Sequence, residues 1–265
     1  MVNFGRKVEI QSGSRSLTNQ DFTIEFTVPF DNDLLPNESE IKIYNLTDDT
    51  IKEFEVGKKL IINAGYTGNV GMILQGVISN KVTQYSGVDK TTTIHVLDAE
   101  NKDKSEVKDI AFAKGTPASK ILDQMTSELG IHVAQFFLNE DFVYEEGYTA
   151  TGRITDIIKK IAADCGTSAY VNKGQLYIRN LRHGNDAAIA LSAESGLIGQ
   201  PESFDEGEYG FEGLRLKSQL QHRITTATVI KLNSKRYQDT TLHIRKGSHR
   251  CTGSDFVTEM EGIYP

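Results

Sequence analysis

The clearest pattern in the chain lies at residues 21–30. Phe22, Ile24, Phe26 and Val28 alternate with Thr23, Glu25 and Thr27, as in a strand with one buried and one wet face. Residues 2–11 predict a weaker first strand, residues 12–20 a polar loop, and residues 31–39 a loop around Pro36. Ile41, Ile43 and Tyr44 open the next strand. Thr47 then stands where a helix N-cap belongs, followed by Asp48 and Asp49, whose charge suits a first turn. Ile51 and Phe54 predict a helix of roughly two turns, with Gly57 as its C′ residue. Residues 58–64 read as a strand that turns away at Gly65. A turn at 68–71 precedes a strand at 72–78, in which Gly76 predicts a bulge or a close backbone approach. Residues 82–85 and 91–97 read as a hairpin across Ser86-Gly87. Six or seven short strands in about 100 residues predict a barrel or sandwich.

The period changes after a charged stretch at residues 98–107. Thr116 is placed to cap a helix with Pro117 at its first position. Ile121, Leu122, Met125 and Leu129 form its apolar face, and Gly130 stops it before a short strand at Ile131 and Val133. The arrangement recurs from Thr151. Ile154, Ile157, Ile158, Ile161, Ala162 and Cys165 share one helical stripe, Gly166 ends it, and residues 169–171 and 175–178 form a hairpin over Asn172-Lys173-Gly174. Two helix–Gly–strand units predict a small α+β domain. From Asp186 the chain returns to β character: Leu214, Leu216 and Ser218 alternate with Arg215 and Lys217, and strands follow at 228–232 and 241–245, with a last strand or a mobile end at 255–260. The expected domains are therefore residues 1–100, 101–185 and 186–265. The fold class is mainly β with an α+β insert: two small β-barrel domains flanking a small α+β domain.

Composition narrows the function. A chain of 265 residues with 23 glycines and 5 prolines suits many short strands with glycine turns. A net charge of −7 is no footprint for specific nucleic-acid or anionic-membrane binding. The N-terminus lacks an apolar signal segment, and no apolar run approaches a membrane span. Two cysteines make no disulfide framework. Synthesis in a bacterial cytoplasm is the expectation.

Residues 41–66 combine a strand ending Tyr44-Asn45-Leu46, a capped short helix and a strand ending Ala64-Gly65-Tyr66. This stretch resembles the start of the first barrel in hub proteins of phage tail baseplates. Ser195-Gly196-Leu197-Ile198-Gly199-Gln200-Pro201 is similar to the opening of that family's second barrel. The following LRLKSQL and TATVIKLNS stretches resemble its later strands, with Gln221-His222-Arg223 in place of the more usual Pro-Gly-like turn. The resemblance implies tail-tube-like barrels and a homotrimer whose six barrels form a pseudo-hexameric ring. Such a hub joins the hexameric tail tube to the trimeric spike, contacts other baseplate proteins and resides in the virion tail baseplate. The family extends to phage-derived contractile bacteriocins, with relatives in the type VI secretion spike. Residues 21–30 and 58–64 are the expected interface strands.

Candidate chemistry is sparse. His243, His249 and Cys251 are metal-ligating types without a standard spacing, and His243 alternates with Leu242 and Ile244 as a strand residue facing solvent or a partner would. Cys165 belongs to an apolar stripe, where a free cysteine acts as a small hydrophobe. Gly65, Gly68 and Gly71 lack the Lys-Ser/Thr pair of a phosphate loop. Glu140-Asp141 and Glu145-Glu146 read as solvated loop pairs. No catalytic, cofactor-binding or metal residues are assigned, and the expectation is a protein that is not an enzyme and needs no cofactor. The alternatives are a tail-associated cell-wall hydrolase and a carbohydrate- or receptor-binding module; the absence of Trp argues against an aromatic sugar platform. The acidic stretch 202–212 reads as a solvated loop, or as the lining of a channel through which DNA passes.

Overall fold

In a computed structural model, residues 4–99, 105–182, 187–206 and 211–265 are described. The expected domain boundaries at 100/101 and 185/186 fall outside these residues, as do Val2, His183 and residues 207–210 of the acidic stretch. The first β segment comprises β1 (Arg6–Ser12), β2 (Arg15–Thr18), β3 (Ile24–Phe30), β4 (Glu38–Tyr44), helix α1 (Asp48–Glu53), β5 (Lys59–Tyr66), β6 (Asn69–Ser86) and β7 (Asp89–Leu97). Alternation builds β3 with Ile24, Phe26, Val28 and Phe30 all buried, although residues 21–23, expected in the same strand, lie before it. Thr47 caps α1, its hydroxyl accepting from the Thr50 backbone N–H at 3.2 Å.

Three local expectations are corrected. Residues 12–20 are not all loop, because β2 forms a hairpin with β1 in which Leu17 faces Ile10. Gly57 is not the C′ residue: α1 ends at a C-cap on Phe54, and the Gly57 N–H instead donates to the Ile78 carbonyl. Residues 72–78 and 82–85 belong to one strand of 18 residues, bent by an irregularity between Ile78 and Asn80. Gly76 marks a close approach, since a Cβ there would strike the Leu97 carbonyl.

The middle of the chain folds as β8 (Glu106–Phe112), β9 (Thr116–Pro117), α2 (Ala118–Leu129), β10 (Val133–Phe136), β11 (Val143–Tyr144), β12 (Tyr148–Arg153), α3 (Ile154–Asp164), β13 (Ser168–Asn172) and β14 (Gln175–Arg179). Each helix ends at a glycine in the left-handed region, Gly130 at φ 70° and Gly166 at φ 62°, and a strand follows. Ile121, Leu122, Met125, Ile158, Ile161 and Cys165 share one core. The expected Thr116 cap is replaced by a remote one. Asp141 accepts from the Ser119 backbone N–H at 2.8 Å and from its hydroxyl at 2.6 Å, satisfying an orphan donor of the first turn. The Thr116 hydroxyl donates to Ala113 instead.

The chain closes with β15 (Ile189–Leu191), a 3-10 turn at Ala193–Ser195, β16 (Leu197–Glu206), β17 (Phe211–Gln219), β18 (Val229–Leu232), β19 (Thr240–Cys251) and β20 (Phe256–Ile263). Two compact units result: Met1–Asp31, Asn37–Asp98 and Gly184–Pro265 form one, and Asn32–Pro36 with Ala99–His183 the other. In the first unit one sheet runs β16-β17-β20-β19-β3-β4-β7-β6-β5-β1-β2, and β18 joins β19 with β15 beyond it. Its cores are shared between the two β segments. Leu220, Cys251 and Phe256 complete the core of the first segment, and Phe30 packs into that of the last. The fold is thus mainly β with a small α+β insert.

Candidate assembly interface

The first and last β segments meet where β3 pairs antiparallel with β19, from Phe30 opposite Gly247 to Phe26 opposite Cys251. This joint is tightly packed. A Cβ on Gly247 would lie 2.6 Å from the Phe30 ring and would also strike the Glu259 carbonyl, so only glycine fits there. His249 lies buried with its ring 5.2 Å from that of Phe30 and its Nδ1 2.9 Å from the Thr258 hydroxyl. The Cys251 thiol donates to the Ile24 carbonyl at 3.4 Å.

Two identical strand orders flank the joint. On one side lie β3, β4, β7 and β6; on the other β16, β17, β20 and β19, read towards the joint. In chain order each set runs first, second, fourth, third. A further strand lines the third strand of each set, β5 beside β6 and β18 beside β19. Both third strands break register at the same place, between Ile78 and Asn80 and between Ile244 and Lys246. The flanking ladders stop just before these irregularities, at Val77 and at His243. The first unit therefore contains one β motif twice, and the joint links the two copies.

One face of the last segment is polar and cross-braced. Arg245, the residue inside the irregularity of β19, donates to Glu206 at 2.8 and 3.0 Å and to Glu261 at 2.9 Å. Its side chain is only 7% exposed, and its guanidinium lies 4.5 Å from the centre of the Phe211 ring. Burial alone would lower the Arg245 pKa, but hydrogen bonds to Glu206 and Glu261 outweigh that and raise it. Hydrogen bonding to Arg245 holds the Glu206 carboxyl below its ordinary range. Glu261 is also held low: burial works against its charge, but the bonds from Arg215 and Arg245 prevail. Lys217 pairs with Glu259 at 3.0 Å, and a groove of about 590 Å³ runs over this surface beside Phe30 and Met260. Residues 202–206 are thus strand rather than solvated loop, and Glu206 is already neutralised by cations.

The structure relocates several candidates. His243 does not face solvent; it is 6% exposed. Among the described residues no group of three or more His, Cys, Asp or Glu is placed to hold a metal ion. Cys165 is buried at the end of α3, where burial raises its thiol pKa, the opposite of nucleophile activation. Asp141 caps α2 and Glu146 pairs with Lys114, so one member of each acidic pair is structurally engaged. Gly65, Gly68 and Gly71 lie on the β5–β6 hairpin.

The strands expected at interfaces, in residues 21–30 and 58–64, are internal to the sheet. β3 is hydrogen-bonded on both sides, by β4 and β19, and β5 likewise by β1 and β6. Neither offers an open edge. Among the described residues, the strand edges without a partner include β2, the outer side of β16, and the outer side of β6 from Asn80 onward. The β6 edge escapes sequence reasoning because Lys81, Val82, Thr83, Gln84 and Tyr85 lack a clean alternation of apolar and polar types.

This double β motif with an α+β insert is the fold of phage tail and type VI secretion proteins. A tail protein from Neisseria meningitidis MC58 superposes with TM-score 0.70 at 8% identity, over 98% of this chain and 97% of that one. The 43 kDa tail protein of prophage MuSo2 from Shewanella oneidensis gives 0.68 at 7% identity, over 98% of both chains. The E. coli c3393 protein, a type VI secretion component similar to T4 bacteriophage tail proteins gp27 and gp5, gives 0.61 at 10% identity, over 98% and 77%. No curated protein sequence matches the chain. The family model described as baseplate hub gp41 matches residues 6–236, and the chain belongs to that family. The likeness is thus to phage tail, baseplate and type VI secretion proteins.

Proposed function

We propose that this chain is the hub that joins a hexameric tail tube to a trimeric spike. Three copies form a ring, and the two β motifs of each copy supply six near-equivalent units, each closing as a tail-tube-like barrel. The observation that carries this reading is the repeated strand order with its matching irregularities in β6 and β19. A ring with six similar sheets can face a six-fold partner while keeping the three-fold symmetry of its chains. The braced polar face, with Arg245, Glu206 and Glu261, is suited to line the passage through such a ring. Its charges are neutralised in pairs, so neither sign dominates the described residues there. The particle is a phage tail or a phage-derived assembly, and its other baseplate proteins are further partners.

Native mass spectrometry of the purified chain, alone and with candidate tube and spike proteins, tests the proposal. A trimer, alone or on adding the spike protein, is the expected result. A monomer that ignores both partners refutes it.

A further inference from the structure

We infer that the outer edge of β6 in one chain pairs antiparallel with the outer edge of β16 in a second copy, with Gln84 opposite Glu202. This rests on the proposed ring and specifies the strands and the register that close it.

The argument starts from the two copies of the β motif. Their irregularities fix which residues correspond. Just past each lies a row of directly opposed residues crossing four strands. In the first motif the row runs Asn80, His95, Glu40, Thr27. In the second it runs Lys246, Glu261, Arg215, Glu202. Thr27 of β3 and Glu202 of β16 are therefore equivalent positions on the first strand of each motif.

The joint inside the chain shows what these positions do. Thr27 lies opposite Arg250, four residues beyond Lys246. The first strand of one motif thus pairs with the far half of the third strand of the other. Carried to the unfilled ends, the same relation sets Glu202 opposite the residue four beyond Asn80, which is Gln84. Two residues along, Pro29 opposite Ser248 becomes Phe204 opposite Val82.

Both edges are ready for such pairing. The β5 ladder stops at Val77 as the β18 ladder stops at His243. In β19 the strand beyond that point is covered by β3. In β6 the corresponding residues have no strand on that side among those described. The outer side of β16 is likewise unpaired among the described residues, whereas its equivalent β3 is covered by β19. Gln84 and Glu202 are both exposed, and Val82 is 41% exposed. An open edge with unpaired N–H and C=O groups is a template for another strand. A second copy of this chain offers the complementary edge, in the geometry the chain already uses once. The pairing is head-to-tail, so it closes a ring rather than a two-fold dimer.

The test is disulfide cross-linking of the full chain carrying Gln84→Cys and Glu202→Cys. The native Cys165 and Cys251 are buried and provide a quiet background. Mild oxidation with diamide is applied to the chain alone and with candidate tube and spike proteins, with oligomeric state followed by native mass spectrometry. The expected result is a covalent ladder ending at three chains. The two single variants leave monomers or off-path dimers, and Val82→Cys with Glu202→Cys, two residues out of register, links at least several-fold more slowly. A trimer that forms but does not link through Gln84 and Glu202, or links equally through the shifted pair, overturns this edge assignment and leaves the hub reading standing. Failure of the unsubstituted chain to oligomerise under every condition overturns both.

Discussion

Asp98 is predicted to make the protein lose stability as the medium turns from acid to neutral. Asn37 and Asp98 are the first and last residues of the middle segment of the β unit. The Asp98 carboxylate accepts from the Asn37 backbone N–H at 2.8 Å and from the Asn37 side-chain amide at 3.4 Å, and the Asp98 N–H donates to the Asn37 carbonyl at 3.1 Å. The residue is 6% exposed. Burial raises the carboxyl pKa, the bonds from Asn37 restrain the rise, the charge of Asp31 adds to it, and the result is about 7 instead of 3.8. A carboxyl raised on folding binds its proton more tightly in the folded state. Its contribution is complete below the unfolded value and is lost as pH climbs through the folded one. At about 1.4 kcal/mol for each tenfold change, the loss between about pH 5 and about pH 8 is roughly 2–3 kcal/mol. Asp98→Asn keeps an oxygen for the Asn37 N–H and removes the titration. Urea unfolding of both proteins across this range is the assay. The variant is expected to gain on the unsubstituted chain by that amount as pH rises. Unfolding free energies that stay parallel across the range would refute the reasoning, because histidines and surface groups cancel in the difference.

Three further perturbations follow from the packing. Gly247→Ala forces a methyl group against the Phe30 ring and the Glu259 carbonyl at the β3–β19 joint, and a loss of about 1–3 kcal/mol is expected in thermal or denaturant unfolding. Asp141→Ala removes both bonds to Ser119, so α2 is expected to lose about 1–2 kcal/mol, seen as faster amide exchange in its first turn; Asp141→Asn restores most of it. Arg245→Ala leaves Glu206 and Glu261 without their shared guanidinium, and a loss of roughly 2–4 kcal/mol is expected at neutral pH. Because both carboxyls are held below the ordinary range, that difference should shrink as pH falls and protonates them.

Much of the fold was legible because burial follows period. The alternation at Ile24–Phe30 and the stripe through Ile154, Ile158 and Ile161 each became the expected element. The Thr47 cap was equally readable, since the hydroxyl and the N–H it accepts from lie three residues apart. Capping by Asp141 was not, because the carboxylate reaches Ser119 from 22 residues away. The inferred assembly edges were hidden for a related reason. Alternation, clear at residues 21–30, reports which face of a strand is buried and not whether its edges are paired; β3 and β5 both turn out to have a strand on either side. The open edges at β6 and β16 carry mixed residues such as Lys81, Thr83, Gln84, Glu202 and Asp205, whose availability depends on where the neighbouring ladders stop.

The doubled β motif was expected from the family resemblance alone and not from any repeat in the residues, for a physical reason that also bears on symmetry. Equivalent positions keep their place in the sheet but not their side chains. Gly247, Ser248, His249 and Cys251 in β19 correspond to Lys81, Val82, Thr83 and Tyr85 in β6, and Arg245 with its two carboxylate partners corresponds to Ser79. The joint within the chain is closed by Phe30, Gly247 and a buried His249. The inferred joint between chains would set Val82 against Phe204 and Gln84 against Glu202. Six backbone sheets in such a ring would be alike, yet the two kinds of joint between them would differ in every side chain. The backbone would then repeat six times and the chemistry three times, which is what a connector between a six-fold tube and a three-fold spike requires. Exchanging the side chains of one joint for those of the other should therefore weaken discrimination between the two joints before it disturbs the fold of either β motif.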